Sequence, residues 1–300
     1  MTATTNTEIY RRFKGELKPA RPGFAPLWLA RVRVGLKRKV TMLLLFGPPW
    51  IVCIWFAGLV YTKFAIEAGS EVPGIDPAAA IASAMAGQLI QVHDQVVFFN
   101  FFSRFFALLA IAWYGAGLIC EDRRAGAHLL YFSRPLSRLD YFLSQFATVY
   151  TFGAFVSVLP TAMICAVAVF SSPDYSFLTQ KWEVVAGALG YALAYVMIIG
   201  LIALAASSLS TRKAYALAGV FGVALGSFAV GGALAGMQRD KDFFMLSIPG
   251  NLERLAGWML DTRRTPFDWN PWWSVAILGG ICVLCLLVIA WRLRRLEVVA

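Results

Sequence analysis

The chain has 300 residues, 59% of them hydrophobic and only 15% charged, with a mean hydropathy of +0.66. Soluble domains carry about 45–50% apolar and about 25% charged residues, so this composition excludes a water-soluble globular fold and indicates an integral membrane protein. The formal net charge of +10 suits short basic loops lying against anionic headgroups. With no RNA- or DNA-binding motif in the chain, it implies no nucleic-acid partner.

Residues 1–39 form a basic leader. Within it, the stretch from Phe24 to Lys39 puts Leu29, Val32 and Leu36 on one stripe, with Arg31 and Arg38 opposite. That pattern predicts a helix lying in the cytoplasmic headgroup layer. The simpler alternative is a basic stop signal ahead of the first span. The first apolar run starts near Val40 and no A-x-A site follows it, so it reads as a retained span and not as a cleaved signal peptide.

A membrane core of roughly 30 Å needs about 20 apolar residues in helical form. The chain offers six such runs, near residues 40–61, 98–119, 142–170, 184–207, 214–237 and 274–291. The expected fold is therefore an all-α membrane protein with six transmembrane helices, residues 40–300 forming one transmembrane domain. The third run is longer than a span requires, and Pro160 inside it predicts a kink, a tilt or an extension. Between spans one and two, Pro73-Gly74-Ile75-Asp76-Pro77 followed by the alanine-rich 78–86 reads as a turn and then an external helix. Between spans five and six lie two apolar pieces too short to cross, Phe243–Leu246 and Leu255–Leu260. They are expected as short external helices, with Trp258, Trp269, Trp272 and Trp273 as interfacial anchors.

Lys and Arg collect in the leader, in the segment after span two (Arg123, Arg124, Arg134, Arg138), at Arg212 and Lys213, and at Arg292, Arg294 and Arg295. Short loops rich in these residues stay cytoplasmic. Six spans put both termini on one side, so both are expected in the cytoplasm.

Span interiors carry little chemistry. No Asp, Glu or His falls inside the six runs, whereas ion-driven carriers depend on such groups near the midplane. Arg104 is the one charge inside a run, about 24 Å from Cys120 at 1.5 Å per residue. Snorkelling to the outer interface is favoured for it over lining a cavity for an anionic substrate. Neither H-E-x-x-H nor G-x-S-x-G occurs, and there is no G-x-x-x-x-G-K-[ST] loop for nucleotide phosphates. The expectation is no catalytic residue, no metal site and no cofactor in this chain, with any ATPase in a partner. Cys282 and Cys285 share a helical face and read as packing residues. In span five, Gly222, Gly226, Gly232 and Gly236 form small-x-x-x-small pairs that serve intramolecular packing and a dimer seam equally well. The aromatic run Phe99, Phe101, Phe102, Phe105 and Phe106 reads as lipid-facing or core surface before it reads as a substrate path.

The segment CEDRRAGAHLLYFSRPLSRLDY, residues 120–141, carries charges that cannot sit in hydrocarbon, yet its centre is apolar enough to bury. Arg134-Pro135-Leu136-Ser137-Arg138 has the character of a stop followed by a helix cap. The segment resembles the cytoplasmic loop of ABC-2 type transporter permeases, where an acidic-basic-x-x-Gly turn leads to a Leu-rich stretch and then Ser-Arg-Pro-x-Ser-Arg. Residues 291–299, WRLRRLEVV, also look like that family's ending after span six. Here Gly126 precedes Ala127, where the family commonly has a hydroxyl residue.

The resemblance implies a half-transporter of the bacterial cytoplasmic membrane. A second copy of the chain, or a related permease, completes the path. Two cytoplasmic ABC ATPase subunits bind ATP and Mg, and membrane lipids surround the whole. A coupling helix between spans two and three would seat in the ATPase. Glu121, Asp122, Arg123 and Gly126 would start that helix, Leu129, Leu130 and Tyr131 would anchor it, and Arg134, Pro135 and Arg138 would end it. Spans one and five would meet at the dimer seam, giving Gly222 and Gly226 a use. The exported substrate would be a lipid, a glycan, a drug-like molecule or something similar. The alternatives are a non-transporting membrane scaffold that recruits a cytoplasmic protein, and a permease serving copper-enzyme maturation.

Overall fold

In hydrocarbon every backbone N–H and C=O needs a partner within its own segment, so long apolar runs fold as helices. The computed structural model describes residues 23–67, 92–127, 136–260 and 267–295, and every regular element among them is helical. In chain order these are α1 (Phe24–Leu36), α2 (Lys39–Phe46), α3 (Pro48–Glu67), α4 (Val92–Arg124), α5 (Arg138–Val156), α6 (Val158–Ser171), α7 (Ser176–Leu209), α8 (Lys213–Gln238), α9 (Ile248–Met259) and α10 (Pro271–Arg294). Short 3₁₀ turns at Pro173–Tyr175 and Lys241–Leu246 join α6 to α7 and α8 to α9. Six segments are long and apolar enough to cross a membrane: Lys39–Ala65, Val96–Arg124, Arg138–Ser171, Ser176–Leu209, Lys213–Gln238 and Pro271–Arg294. This is the make-up of a multi-pass membrane protein.

Three of the six segments are interrupted, the fourth segment at Lys181 (φ −129°, ψ 27°) near the start of α7. In the first, Gly47 (φ −81°, ψ −111°) separates α2 from α3, and two prolines follow. A Cβ on Gly47 would collide with the Leu43 carbonyl oxygen, so only glycine fits. In the third, the helix breaks at Ser157 (φ −116°, ψ −55°) between α5 and α6. Pro160 lies one turn beyond. It has no N–H to bond the carbonyl of Val156, and its ring crowds that carbonyl.

The central helix is α7, which packs on α4, α5, α6, α8, α9 and α10. Small residues let it come close to its neighbours. A Cβ on Gly115 of α4 would lie 2.6 Å from the Ala203 Cβ, and one on Gly153 of α5 would lie 2.6 Å from Val196. By contrast α8 is lined with exposed apolar groups, among them Val223, Leu225, Phe228 and Val230.

Both short apolar pieces before the last span are helical. Phe243–Leu246 falls in the 3₁₀ turn and α9 follows, capped by Ser247, whose Oγ accepts from the Gly250 N–H at 3.1 Å. Trp258, Trp272 and Trp273 are exposed, as interfacial anchors require. Trp269 departs from the expectation. It is buried, donates its indole N–H to Ser274 Oγ at 2.9 Å, and its carbonyl accepts from Arg254 Nε at 2.7 Å. The turn and helix expected within 73–86 lie outside the described residues, as do residues 1–22 of the leader and 296–299 of the C-terminal motif.

Candidate functional site: the charged junction of α1, α4, α5 and α7

The charged segment begins as the last turn of α4, not as the start of a new helix. Residues Glu121 to Arg124 continue the α4 ladder, the Ala125 N–H still bonds the Glu121 carbonyl at 2.9 Å, and Gly126 (φ +68°) turns the chain away. Glu121 and Asp122 therefore sit at the negative end of a helix dipole, which disfavours them. The expectation that they start a coupling helix and benefit from its dipole is corrected on both counts. The offset comes from cations supplied by other segments.

Asp122 is buried, and its Oδ2 accepts from three donors on two helices. The Arg31 guanidinium reaches it from α1, the Tyr141 hydroxyl from α5 at 2.8 Å, and Gln145 Nε2, also from α5, at 3.1 Å. One carboxylate oxygen thus bolts α1, α4 and α5 together. Its direction follows from helical phase: Ile111, Ala112, Ile119 and Asp122 share the buried face of α4, while Glu121 and Arg124 fall on the exposed side.

The helix expected over the leader is present as α1. Arg31 was expected on the polar face and instead points into the bundle, while Leu29 and Leu36 of the presumed apolar stripe are exposed. Of that stripe, Val32 packs on the core. The rest of the docking is specific: Trp28 Nε1 donates to Thr151 Oγ1 at 3.0 Å, and Gly35 lies so near Phe152 that a Cβ would approach its ring to 2.6 Å. Arg31 gives the buried carboxylate its counter-charge, and this contact fixes the rotation of α1 against the bundle.

Arg123 turns the other way. Its Nη1 donates to the Ser208 carbonyl at 2.7 Å and to that of Ser210 at 3.4 Å, covering the open carbonyls at the end of α7. Close by, the Ser207 hydroxyl donates to the Ala116 carbonyl at 2.8 Å and accepts from the backbone N–H groups of Ile119 and Cys120 at 3.0 and 3.1 Å. The end of α4 is tied to the end of α7 as firmly as to α1 and α5.

Arg138 opens α5, with Ser137 as its cap: Ser137 Oγ accepts from the Asp140 N–H at 3.1 Å, and Asp140 Oδ2 accepts from the Ser137 N–H at 3.4 Å, a complete capping box. The expected cap is thus found at Ser137, while the expected stop at Arg134-Pro135 lies outside the described residues. Leu129, Leu130, Tyr131, Arg134 and Pro135 lie outside the described residues. Gly222 and Gly226 are open on the outer side of α8, where an added Cβ meets nothing within 4 Å, whereas Gly232 faces Phe244.

A pocket of about 280 Å³ opens beside the junction, between α1, α2, α4, α5 and the start of α8. Arg31, Arg38, Lys213, Glu121 and Asp122 supply its charge. Trp113 and Tyr114 wall one side. Lys213 Nζ sits 3.8 Å over the Trp113 ring, and Tyr114 stacks on Phe152 at 4.1 Å. Sequence reasoning missed Arg31, Tyr141 and Gln145 as site residues. A signal existed for two of them, since Tyr141, Gln145, Thr148 and Phe152 recur at helical spacing along the buried face of α5, and polar groups on such a face need an interior partner.

Arg104 packs against α7: its Nη1 is 3.5 Å from the Tyr191 hydroxyl, its carbonyl accepts from the Tyr195 hydroxyl at 2.8 Å, and its guanidinium lies 4.7 Å from the Phe101 ring centre. The aromatic run divides, with Phe99 in the core and Phe101, Phe102 and Phe105 exposed. Among the described residues no group of three or more His, Cys, Asp and Glu is placed to hold a metal ion.

The family profile described as "Protein of unknown function (DUF2705)" matches residues 50–299. The chain belongs to that family. No curated protein and no solved structure matches it. Within this DUF2705 chain the matched region takes in Asp122, Tyr141 and Gln145 but begins inside α3. Arg31 of α1 and Thr41 of α2 therefore lie ahead of it.

Proposed function

We propose that this chain is the transmembrane permease subunit of an ATP-binding-cassette exporter in the bacterial cytoplasmic membrane. In this reading two copies, or one copy and a related permease, form the path. Separate cytoplasmic ATPase subunits bind ATP and Mg, and both termini and the 120–141 segment face the cytoplasm. The substrate is a lipid, a glycan, a drug-like molecule or something similar.

The observation that carries the reading is the anchoring of the segment's first turn. A loop that converts an ATPase's motion into movement of spans must be mechanically tied to several of them. Asp122 ties the end of α4 to α1 and α5, and Arg123 ties it to the end of α7. A push at Gly126 therefore meets a rigid junction and not a slack linker. The chain's own motifs add support, since it has no nucleotide loop and its charged segment has the sequence character of an ABC-2 permease loop.

The burial pattern selects the test. Asp122 and Arg123 are structural, so charge reversal there perturbs the fold, whereas Glu121, held only by a loose contact to Arg38, and Arg124 are exposed and accessible to a partner. The measurement is a mild-detergent pull-down from the chain's own cells, with mass spectrometry and an ATPase assay on the eluate, for the native chain and for Glu121→Lys with Arg124→Glu. Co-purification of an ABC ATPase that the double variant loses is the expected result. An intact chain that retains no ATPase sinks the reading and leaves the scaffold.

A further inference from the structure

We propose that the pocket between α1, α2, α4, α5 and α8 is a binding site for the phosphate headgroup of an anionic lipid. The proposal goes beyond the exporter reading and does not depend on it.

Three observations converge. The first is a set of polar groups left over. The Thr41 hydroxyl, the Tyr114 hydroxyl and Arg31 Nε are buried, belong to residues that line the pocket, and have no hydrogen-bond partner among the described residues. Thr41 is fully buried and Tyr114 is 8% exposed. Native proteins rarely leave such groups unmatched, and all three can donate. A ligand rich in acceptor oxygens satisfies them together, as a phosphate does.

The second is charge. Three cations and two carboxylates line the pocket, but Asp122 is spent on Arg31, Tyr141 and Gln145. Glu121 meets Arg38 only at 3.9 Å with both side chains about half exposed, a contact easily exchanged for a better one. Lys213 lies on the Trp113 ring and makes no ion pair among the described residues. Arg38 and Lys213 are thus available to an anion.

The third observation selects a lipid over a free anion. Leu27, Val34, Leu118 and Phe152 give the pocket an apolar wall. The helix that supplies Thr41 presents Val40, Met42, Leu43 and Phe46 outward, on a segment apolar enough to lie in the membrane. A headgroup held by Lys213, Arg38 and the two hydroxyls leaves its acyl chains along that face.

Trp113, in the pocket wall, is the reporter. The purified full-length chain is reconstituted without any ATPase into phosphatidylcholine vesicles containing increasing brominated phosphatidylglycerol, and quenching of Trp113 is obtained by difference from Trp113→Phe. Saturable quenching at a low mole fraction of the anionic lipid is expected. Lys213→Gln should raise the half-point on the order of tenfold, the loss of one charged contact. Thr41→Val with Tyr114→Phe should raise it several-fold with no change of charge. Arg212→Gln, a neighbouring charge outside the pocket, should leave it unchanged, as should excess inorganic phosphate. Circular dichroism and gel filtration screen the variants, and the charge-neutral pair decides if Lys213→Gln misfolds. Equal quenching by brominated phosphatidylcholine overturns the proposal. So does an equal effect of Arg212→Gln, which would mean diffuse surface attraction, and so does displacement by inorganic phosphate, which would mean a soluble anion. None of these outcomes touches the ATPase-coupling reading.

Discussion

Replacing Asp122 by alanine removes the acceptor of three buried donors at once, and the consequence can be worked from the contacts. The Arg31 and Asp122 side chains are only 14% and 12% exposed, so the pair is a buried one, not a screened surface bridge. Removing one member of such a pair costs roughly 3–5 kcal/mol, mostly because the other charge stays buried without compensation. The donors of Tyr141 and Gln145 lose their partner in the same step, each worth about 1 kcal/mol, though effects inside one cluster do not add. Asp122→Ala should therefore destabilise by about 4 kcal/mol and release α1 from α5. Asp122→Asn, which keeps an acceptor but no charge, should cost less. Asp122→Leu with Arg31→Met should recover most of the loss, because an apolar pair of similar volume replaces a buried ion pair at little cost.

The assay is denaturant unfolding of the purified chain in mild detergent, run as a double-mutant cycle between Arg31 and Asp122. Trypsin cleavage within α1 serves as a second readout, since docking shields Arg31. A coupling energy of at least about 2 kcal/mol is expected. If Asp122→Ala leaves the unfolding midpoint unchanged, or if Arg31→Met and Asp122→Leu act additively, the junction does not hold α1 and the reasoning fails.

Three further outcomes follow from local geometry. Gly187→Ala should destabilise by at least about 2 kcal/mol in the same unfolding assay, because the new Cβ would run into the backbone carbonyl of Met259 and drive α9 off α7. Ser137→Ala should cost about 1 kcal/mol by opening the capping box of α5, while Ser137→Asp should retain most of the stability. Gly222→Leu with Gly226→Leu should leave unfolding within about 0.5 kcal/mol of the native chain, since nothing lies within 4 Å of either position. If α8 is the dimer seam, crosslinking should show self-association weakened. Unchanged association would place the seam elsewhere.

The number of spans and their approximate positions are legible in the sequence alone, because crossing a membrane is a matter of length and local hydropathy, and backbone satisfaction then leaves only the helix. So are the cap at Ser137, the interruption of the third span near Pro160 and the helical pieces before the last span, all of which depend on a few neighbouring residues. The tertiary structure decided the rest. Glu121, Asp122 and Arg123 are consecutive and all charged, yet one is exposed, one is buried on Arg31 and one covers the end of α7. The choice depends on the phase in which α4 ends and on partners as far as 91 residues away in sequence. The same holds for α1: its hydropathy stripe gives no hint that Arg31 turns inward, and a single buried carboxylate on another helix draws it there. Local pattern sets what each segment is. The cost of leaving a buried charge without a partner sets which way it turns.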